Sequence, residues 1–241
     1  MYRALTALAA GIATAAIAVP ALGSGVSSTA LRHDPIHKVT NSTSTNWSGY
    51  AASGRTFTSV SASWTQPTAI CTGTSYSSFW VGLDGDGSST VEQTGSSADC
   101  SSAGVPSYYA WYEMYPKFPT NLSGPVKPGD AFTASVTTDA VGRFTLTISD
   151  TSEPWTFKTT QRLKSAALAS AEVIAEAPSS RSGVLPLTNF GTVNFTGSTA
   201  NGASLSTFNP DRIDMVSGST VKAQTGSISS NGSFSVTRKH S

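Results

Sequence analysis

Between Phe79 and Pro116 the sequence gathers carboxylates, a carboxamide and aromatic rings: Trp80, Asp84, Asp86, Glu92, Gln93, Tyr108, Tyr109, Trp111, Tyr112, Glu113 and Tyr115. Carboxylates move protons, and a carboxamide offers a donor and an acceptor without charge, so this set suits general acid–base work on a polar bond. In Tyr109-Ala110-Trp111-Tyr112-Glu113-Met114-Tyr115, two-residue alternation puts Tyr109, Trp111, Glu113 and Tyr115 on one strand face. A glutamate among aromatics is costly to bury unpaired, so that face is either a wet cleft or a polar network. Glu172 and Glu176, four residues apart, share a face in a helix and in a strand alike.

Other chemistries lack their residues. His33, His37 and His240 lie in an N-terminal arm or at the C-terminus, which leaves a Ser-His triad in the body without a base. Zinc lacks histidines and spare cysteines. Asp84-Gly85-Asp86-Gly87 lacks the extended spacing and closing Glu of a calcium loop and reads as a tight turn between strands. Fifteen Lys and Arg against 14 Asp and Glu, a formal charge of +1 and 12% charged residues give no clustered cations, which excludes a nucleic-acid footprint.

The elements that must carry these residues are strands. Roughly three residues in ten are Ser or Thr, which favours strands and turns. Period-two runs recur, as in Phe132/Ala134/Val136, Phe144/Leu146/Ile148 and Phe234/Val236. Runs near 47–52, 58–65, 78–84, 90–94, 107–115, 131–138, 142–149, 154–160, 170–177, 188–196, 202–208, 211–217, 220–225 and 233–238 predict an all-β antiparallel sandwich of two packed sheets. Arg162–Ala177, rich in Ala, Leu and Glu, is the best helix candidate by propensity, and propensity alone leaves helix or strand open.

Met1–Gly23 has one cation, an apolar Ala/Leu/Ile stretch and a small-x-small site, the pattern of a secretory signal peptide. No second apolar run follows, so the expected mature protein is soluble, exported and free of the membrane. In this chain of 241 residues, 24–45 read as a disordered leader or short propeptide and 46–241 as a single domain, monomeric by default. In an exported chain the two cysteines, Cys71 and Cys100, predict one disulfide.

Several motifs together resemble the eqolisins, secreted glutamic peptidases found in fungi and bacteria. These are Asn46-Trp47-Ser48-Gly49-Tyr50, Ala62-Ser63-Trp64-Thr65-Gln66-Pro67, Phe79-Trp80-Val81-Gly82-Leu83-Asp84-Gly85-Asp86-Gly87, Gln93-Thr94-Gly95, Ala110-Trp111-Tyr112-Glu113-Met114-Tyr115-Pro116 and Ala171-Glu172-Val173-Ile174-Ala175-Glu176. The resemblance implies a lectin-like β-sandwich whose concave face binds extended protein or peptide substrates, with no metal or organic cofactor. It places the catalytic glutamine at Gln93 and the catalytic glutamate at Glu176. Trp80, Asp84, Trp111, Glu113 and Tyr115 match positions that line or support the family's cleft. Glu92, Tyr109, Met114, Val173 and Ala177 depart from the family's usual residues. The implied mechanism has Glu176 activating water and Gln93 stabilising the oxyanion, with activity favoured in acid and Asp84 and Glu113 close enough to tune Glu176. Two rivals share the same aromatics and acids: a carbohydrate-binding sandwich, and a glycosidase using two of Asp84, Glu113 and Glu176.

Overall fold

The computed structural model describes residues 31–35 and 43–240; the signal-like Met1–Gly23 lies outside them. In chain order the strands are β1 (Thr43–Ser44), β2 (Trp47–Ala52), β3 (Ser59–Thr65), β4 (Ser78–Leu83), β5 (Val91–Cys100) and β6 (Pro106–Tyr115). Next come β7 (Thr120–Asn121), β8 (Ala131–Thr138), β9 (Arg143–Asp150), β10 (Trp155–Arg162), β11 (Ala171–Glu176) and β12 (Ser179–Ser180). The rest are β13 (Gly183–Val184), β14 (Thr192–Ala200), β15 (Ala203–Ser204), β16 (Asp211–Ser217), β17 (Thr220–Thr225) and β18 (Phe234–Arg238).

Hydrogen bonding runs continuously in the order β10-β9-β8-β3-β14-β18-β17-β16-β2-β11-β4-β5-β6-β7. The path folds into two layers at β16. Asp211–Ile213 pair with β2 in one layer, Met215–Ser217 pair with β17 in the other, and a register shift lies between Met215 and Val216. Bulged strands of this kind let one chain turn the corner between stacked sheets.

In β8 and β9 the expected alternation holds, with Phe132, Ala134, Val136, Phe144, Leu146 and Ile148 turned into the inter-sheet core. Strands β2, β4, β5 and β11 are buried on both faces. An antiparallel sheet with no solvated face has its second face covered too. That face carries a separate apolar cluster of Trp47, Ala51, Trp80, Val91, Trp111, Ile174 and Ile213, with Tyr109 and Tyr115 packed against it.

Within the ambiguous Arg162–Ala177 stretch no helix forms, and its second part, Ala171–Glu176, is strand. Ala171–Glu176 pair residue for residue with β2 on one side and β4 on the other. A helix there would leave both neighbours' backbone edges unpaired inside the protein, a cost that outweighs tenths of a kcal/mol per residue of helix propensity. Cys71 and Cys100 form the expected disulfide, with Cα atoms 5.4 Å apart and a sequence separation of 29.

Candidate active site

Three consecutive rungs on the outer face of the β2-β11-β4-β5-β6 layer supply the site. The first holds Trp47, Glu176, Ser78, Ser97 and Tyr109, and the second Gly49, Ile174, Trp80, Gly95 and Trp111. The third holds Ala51, Glu172, Gly82, Gln93 and Glu113. Alternation therefore puts Gln93, Glu113, Trp80, Trp111 and Glu176 on one face, although Glu176 comes from a distant part of the chain.

Gly95 explains how Trp80 can lie over this sheet. A Cβ on Gly95 would sit 2.3 Å from the Phe79 carbonyl oxygen and 2.5 Å from Trp80 Cβ. With that space open, the Trp80 indole Nε1 donates to Glu176 Oε2 at 2.8 Å. Asn46 Nδ2 donates to Glu176 Oε1 at 3.4 Å, and Trp47 meets Trp80 edge-on with ring centroids 4.9 Å apart. Gln93 Nε2 donates to Glu113 Oε2 at 3.1 Å. Trp111 is anchored by its Nε1, which donates to Ser97 Oγ at 2.9 Å.

The groove is occupied by the chain itself. Residues 31–35, which the sequence assigns to a disordered arm, lie across it, and His33 is 1% exposed. The His33 ring stacks on Trp111 with centroids 3.7 Å apart and planes 4° from parallel. Its Nδ1 is 3.2 Å from Glu176 Oε2, its backbone N donates to Glu113 Oε2 at 3.2 Å, and its carbonyl oxygen accepts from Gln93 Nε2 at 2.8 Å. One residue thus touches all three polar side chains. A backbone carbonyl can only accept, which fixes the NH₂ of Gln93 toward it.

Burial pushes Glu176 well above the usual carboxylate range, opposed in part by the Trp80 hydrogen bond. Glu113 is pushed up by burial and then by the neighbouring Glu176 charge. Burial also drives His33 down to about 3, against the pull of Asp34. Burial thus favours the uncharged form of all three groups in the filled groove.

The sequence-predicted residues separate into two groups. Gln93, Glu176, Trp80, Trp111 and Glu113 come together; Tyr115 lies on the same face, packed against the aromatic cluster. Asp84 does not join them. Its two carboxylate oxygens accept from the backbone amides of Leu168 (2.9 Å) and Ala169 (2.7 Å), so it ties the β4–β5 turn to the segment entering β11. Leu83 pairs with Ala171 whereas Ser78 pairs with Glu176, which puts Asp84 beyond the opposite end of β11 from the catalytic candidate. Glu92, one residue before Gln93, faces the opposite side of the layer beside Leu83 and Met114. The sequence gives no sign of His33 as a site residue beyond an imidazole in a polar stretch, because the arm shows no periodicity. Asn46, first of the Asn-Trp-Ser-Gly-Tyr motif, is buried against Glu176.

Among the described residues no helix is long and apolar enough to cross a membrane, and no group of three or more His, Cys, Asp or Glu is arranged to hold a metal.

Comparison with known proteins agrees with the fold. The chain is 38% identical over 105 residues to scytalidopepsin B of Scytalidium lignicola, a match covering 42% of this chain and 39% of that relative's length. The structure aligns with scytalido-glutamic peptidase bound to a transition-state analogue at a TM-score of 0.70 and 24% identity, covering 81% of this chain and 98% of the other. It aligns with aspergilloglutamic peptidase from Aspergillus niger at 0.61 and 27%, covering 68% and 99%. Residues 45–238 match the model of the Peptidase A4 family, and this chain, with its eqolisin motifs and two-layered β fold, belongs to that family.

Proposed function

We propose that the protein is a secreted glutamic endopeptidase, active in acid, in which Glu176 is the general base and acid and Gln93 stabilises the oxyanion. The observation that carries this reading is the convergence of Gln93, Glu113 and Glu176 on one residue of the chain lying in the groove, His33, through its carbonyl, its N–H and its ring respectively. An amide resists hydrolysis because water is a weak nucleophile and charge gathers on the carbonyl oxygen. Glu176, once ionised, takes a proton from water as the oxygen attacks the carbonyl carbon, then returns it to the departing amine. Gln93 Nε2 donates to the developing oxyanion, and its Oε1, unpartnered among the described residues, offers an acceptor to the attacking water. Glu113 holds the amide of Gln93 in that orientation. Trp80 keeps Glu176 aimed into the groove.

Family membership supports protein or peptide substrates. The signal-like N-terminus and the disulfide support export. Asp84 is held by backbone amides, which removes it from any carboxyl pair of the glycosidase kind.

The test is a peptide-library digest at acidic pH with wild type, Glu176→Gln and Gln93→Ala, repeated with pepstatin. Wild type should cleave, insensitive to this inhibitor of two-aspartate enzymes. Gln93→Ala should lose roughly a hundredfold or more in kcat, and Glu176→Gln about a hundred- to ten-thousandfold. Undiminished cleavage by both variants would remove the assignment.

A further inference from the structure

A cavity of about 250 Å³ lies beside the Cys71–Cys100 disulfide and shares no residue with the groove. Its walls come from segments distant in sequence that are pinned to one another. Isolated backbone bridges join Ile70 to Asn189, Ser75 to Cys100 and Tyr76 to Leu187, and the disulfide ties Cys71 to the same end of β5. The Arg238 N–H donates to the Gly191 carbonyl at 2.8 Å, which fixes the end of β18 against the same loop. The hollow is therefore formed before any ligand arrives, and a preformed site loses less in ordering when it binds.

Arg238 is the one charged residue in its lining. Its Nε is buried and donates to nothing among the described residues, and Arg238 enters no ion pair among them. A guanidinium cannot shed its proton to escape this situation, and a buried charged donor left unmet is costly. The polar groups around it also have hydrogens to give: the hydroxyls of Thr72, Thr74 and Ser75, and the side-chain amide of Asn189, whose Oδ1 already accepts from the Gly191 N–H at 3.2 Å. The backbone amides of Thr72, Gly73 and Thr74 donate to no backbone group among the described residues. A fixed positive charge, several donors and no acidic side chain in the lining are complementary to an oxyanion.

The rest of the lining narrows the class of anion. Ile70, Pro186 and Leu187 are apolar, and Ile70 is 57% exposed, one of few large aliphatic side chains left open to water. A bare phosphate would satisfy Arg238 while leaving this apolar surface wet and most of the cavity unfilled. An organic carboxylate the size of one residue uses both parts: its two oxygens match the guanidinium fork, and its hydrocarbon covers the aliphatic wall.

We infer that this cavity binds the carboxyl end of a peptide, with the terminal carboxylate on Arg238 and an aliphatic last side chain against Ile70, Pro186 and Leu187. In a family of endopeptidases such ends arrive with every substrate and are made by every cut. Binding here uses none of the groove's residues and does not depend on the roles proposed for Gln93 and Glu176.

The experiment titrates the purified protein by calorimetry with N-acetyl-leucine, N-acetylleucinamide and inorganic phosphate at about pH 5, above the ~3.5 of a terminal carboxyl. Wild type is compared with Arg238→Gln, with Ile70→Asp, which sets a repelling charge at an exposed position, and with the groove variant Trp111→Ala; melting temperature and peptide hydrolysis are read on the same samples. N-acetyl-leucine should bind wild type and Trp111→Ala alike, one per chain, and the amide at least about tenfold more weakly. Arg238→Gln and Ile70→Asp should each weaken N-acetyl-leucine by about tenfold or more while peptide hydrolysis stays at the wild-type level. Equal binding of acid and amide, undiminished binding in either variant that keeps the wild-type melting temperature, or loss of binding in Trp111→Ala overturns the inference. Phosphate binding as tightly as N-acetyl-leucine overturns the peptide end as the ligand, and no binding of any probe at millimolar concentration overturns the site. Absence of peptide hydrolysis in wild type counts against the catalytic reading alone.

Discussion

Gln93 and Glu113 meet through one hydrogen bond, and that bond gives Glu113 a role distinct from the Glu176 base. Two carboxyl groups in one groove lose their protons in sequence, because the first negative charge opposes the second. Glu113 is the one raised by its partner's charge. Ionised Glu113 would pull the Gln93 N–H toward itself and set a second negative charge beside the forming oxyanion. The expected outcome for Glu113→Gln is a pH profile of kcat/KM whose acid limb stays in place while its alkaline limb moves to higher pH. An alkaline limb that stays where wild type has it assigns that limb to another group.

At the scale of the strand, the Gln93-Thr94-Gly95 motif has a packing reason as well as a chemical one. The Gly95 Cα faces the Trp80 backbone across β4 and β5, and an added methyl would clash with atoms that cannot rotate away. Gly95→Ala should destabilise by about 1–3 kcal/mol, read as a lower urea midpoint. It should also reduce kcat by turning the Trp80 indole from Glu176. Gly73→Ala, where nothing lies within 4 Å of the new Cβ, is the control expected to change neither.

The strand runs read from alternation coincide closely with β2, β8, β16 and β17, where turn residues bracket each run. Val91–Cys100 runs six residues beyond the predicted 90–94, because Gly95 and the small polar residues after it break the apolar pattern while the ladder with β6 continues to Cys100. The predicted 202–208 strand is instead the short β15 followed by a 3-10 helix at Leu205–Phe208. Leu205 alone of that helix is buried, so the apolar spacing that resembled a strand reflects one anchoring residue.

Across the whole molecule, buried acids set the pH range in which the fold is comfortable. Glu92 is raised to about 9 by burial and by the Asp84 charge, and Glu113, Glu172 and Glu176 are raised well above the ordinary range by burial first. Each binds its proton more tightly folded than unfolded. Its contribution is therefore complete below the unfolded value near 4.5 and is lost as pH climbs toward the folded value. His33 runs the other way: its contribution is complete above 6.5 and lost as pH falls toward 3. Above 6.5 His33 no longer adds to the change, so from there to about 9 these acids should make stability fall with rising pH, by on the order of 1 kcal/mol per unit per titrating group, opposed only by Lys222, which burial lowers. Thermal melts across that window measure it, and Glu92→Gln should flatten the slope. A melting temperature that holds level or rises over the window would show that these carboxyls are not neutral in the folded protein.

By itself the sequence determined the strands, the disulfide pair, the family and the face shared by Trp111 and Glu113, because alternation, turn residues and motif order are local properties of a chain. It also named Gln93 and Glu176 through resemblance, but no local rule brings them together. Their meeting depends on β11 inserting between β2 and β4, a choice made by backbone edges that need partners rather than by propensity. Asp84 shows the same limit: its position in the motif suggested the cleft, while the two amides that bind it lie 84 and 85 residues away. The docking of His33, 143 residues from Glu176, was decided by tertiary structure alone. An arm without periodicity finds its place only when a finished groove offers stacking, hydrogen bonds and an open strand edge at once.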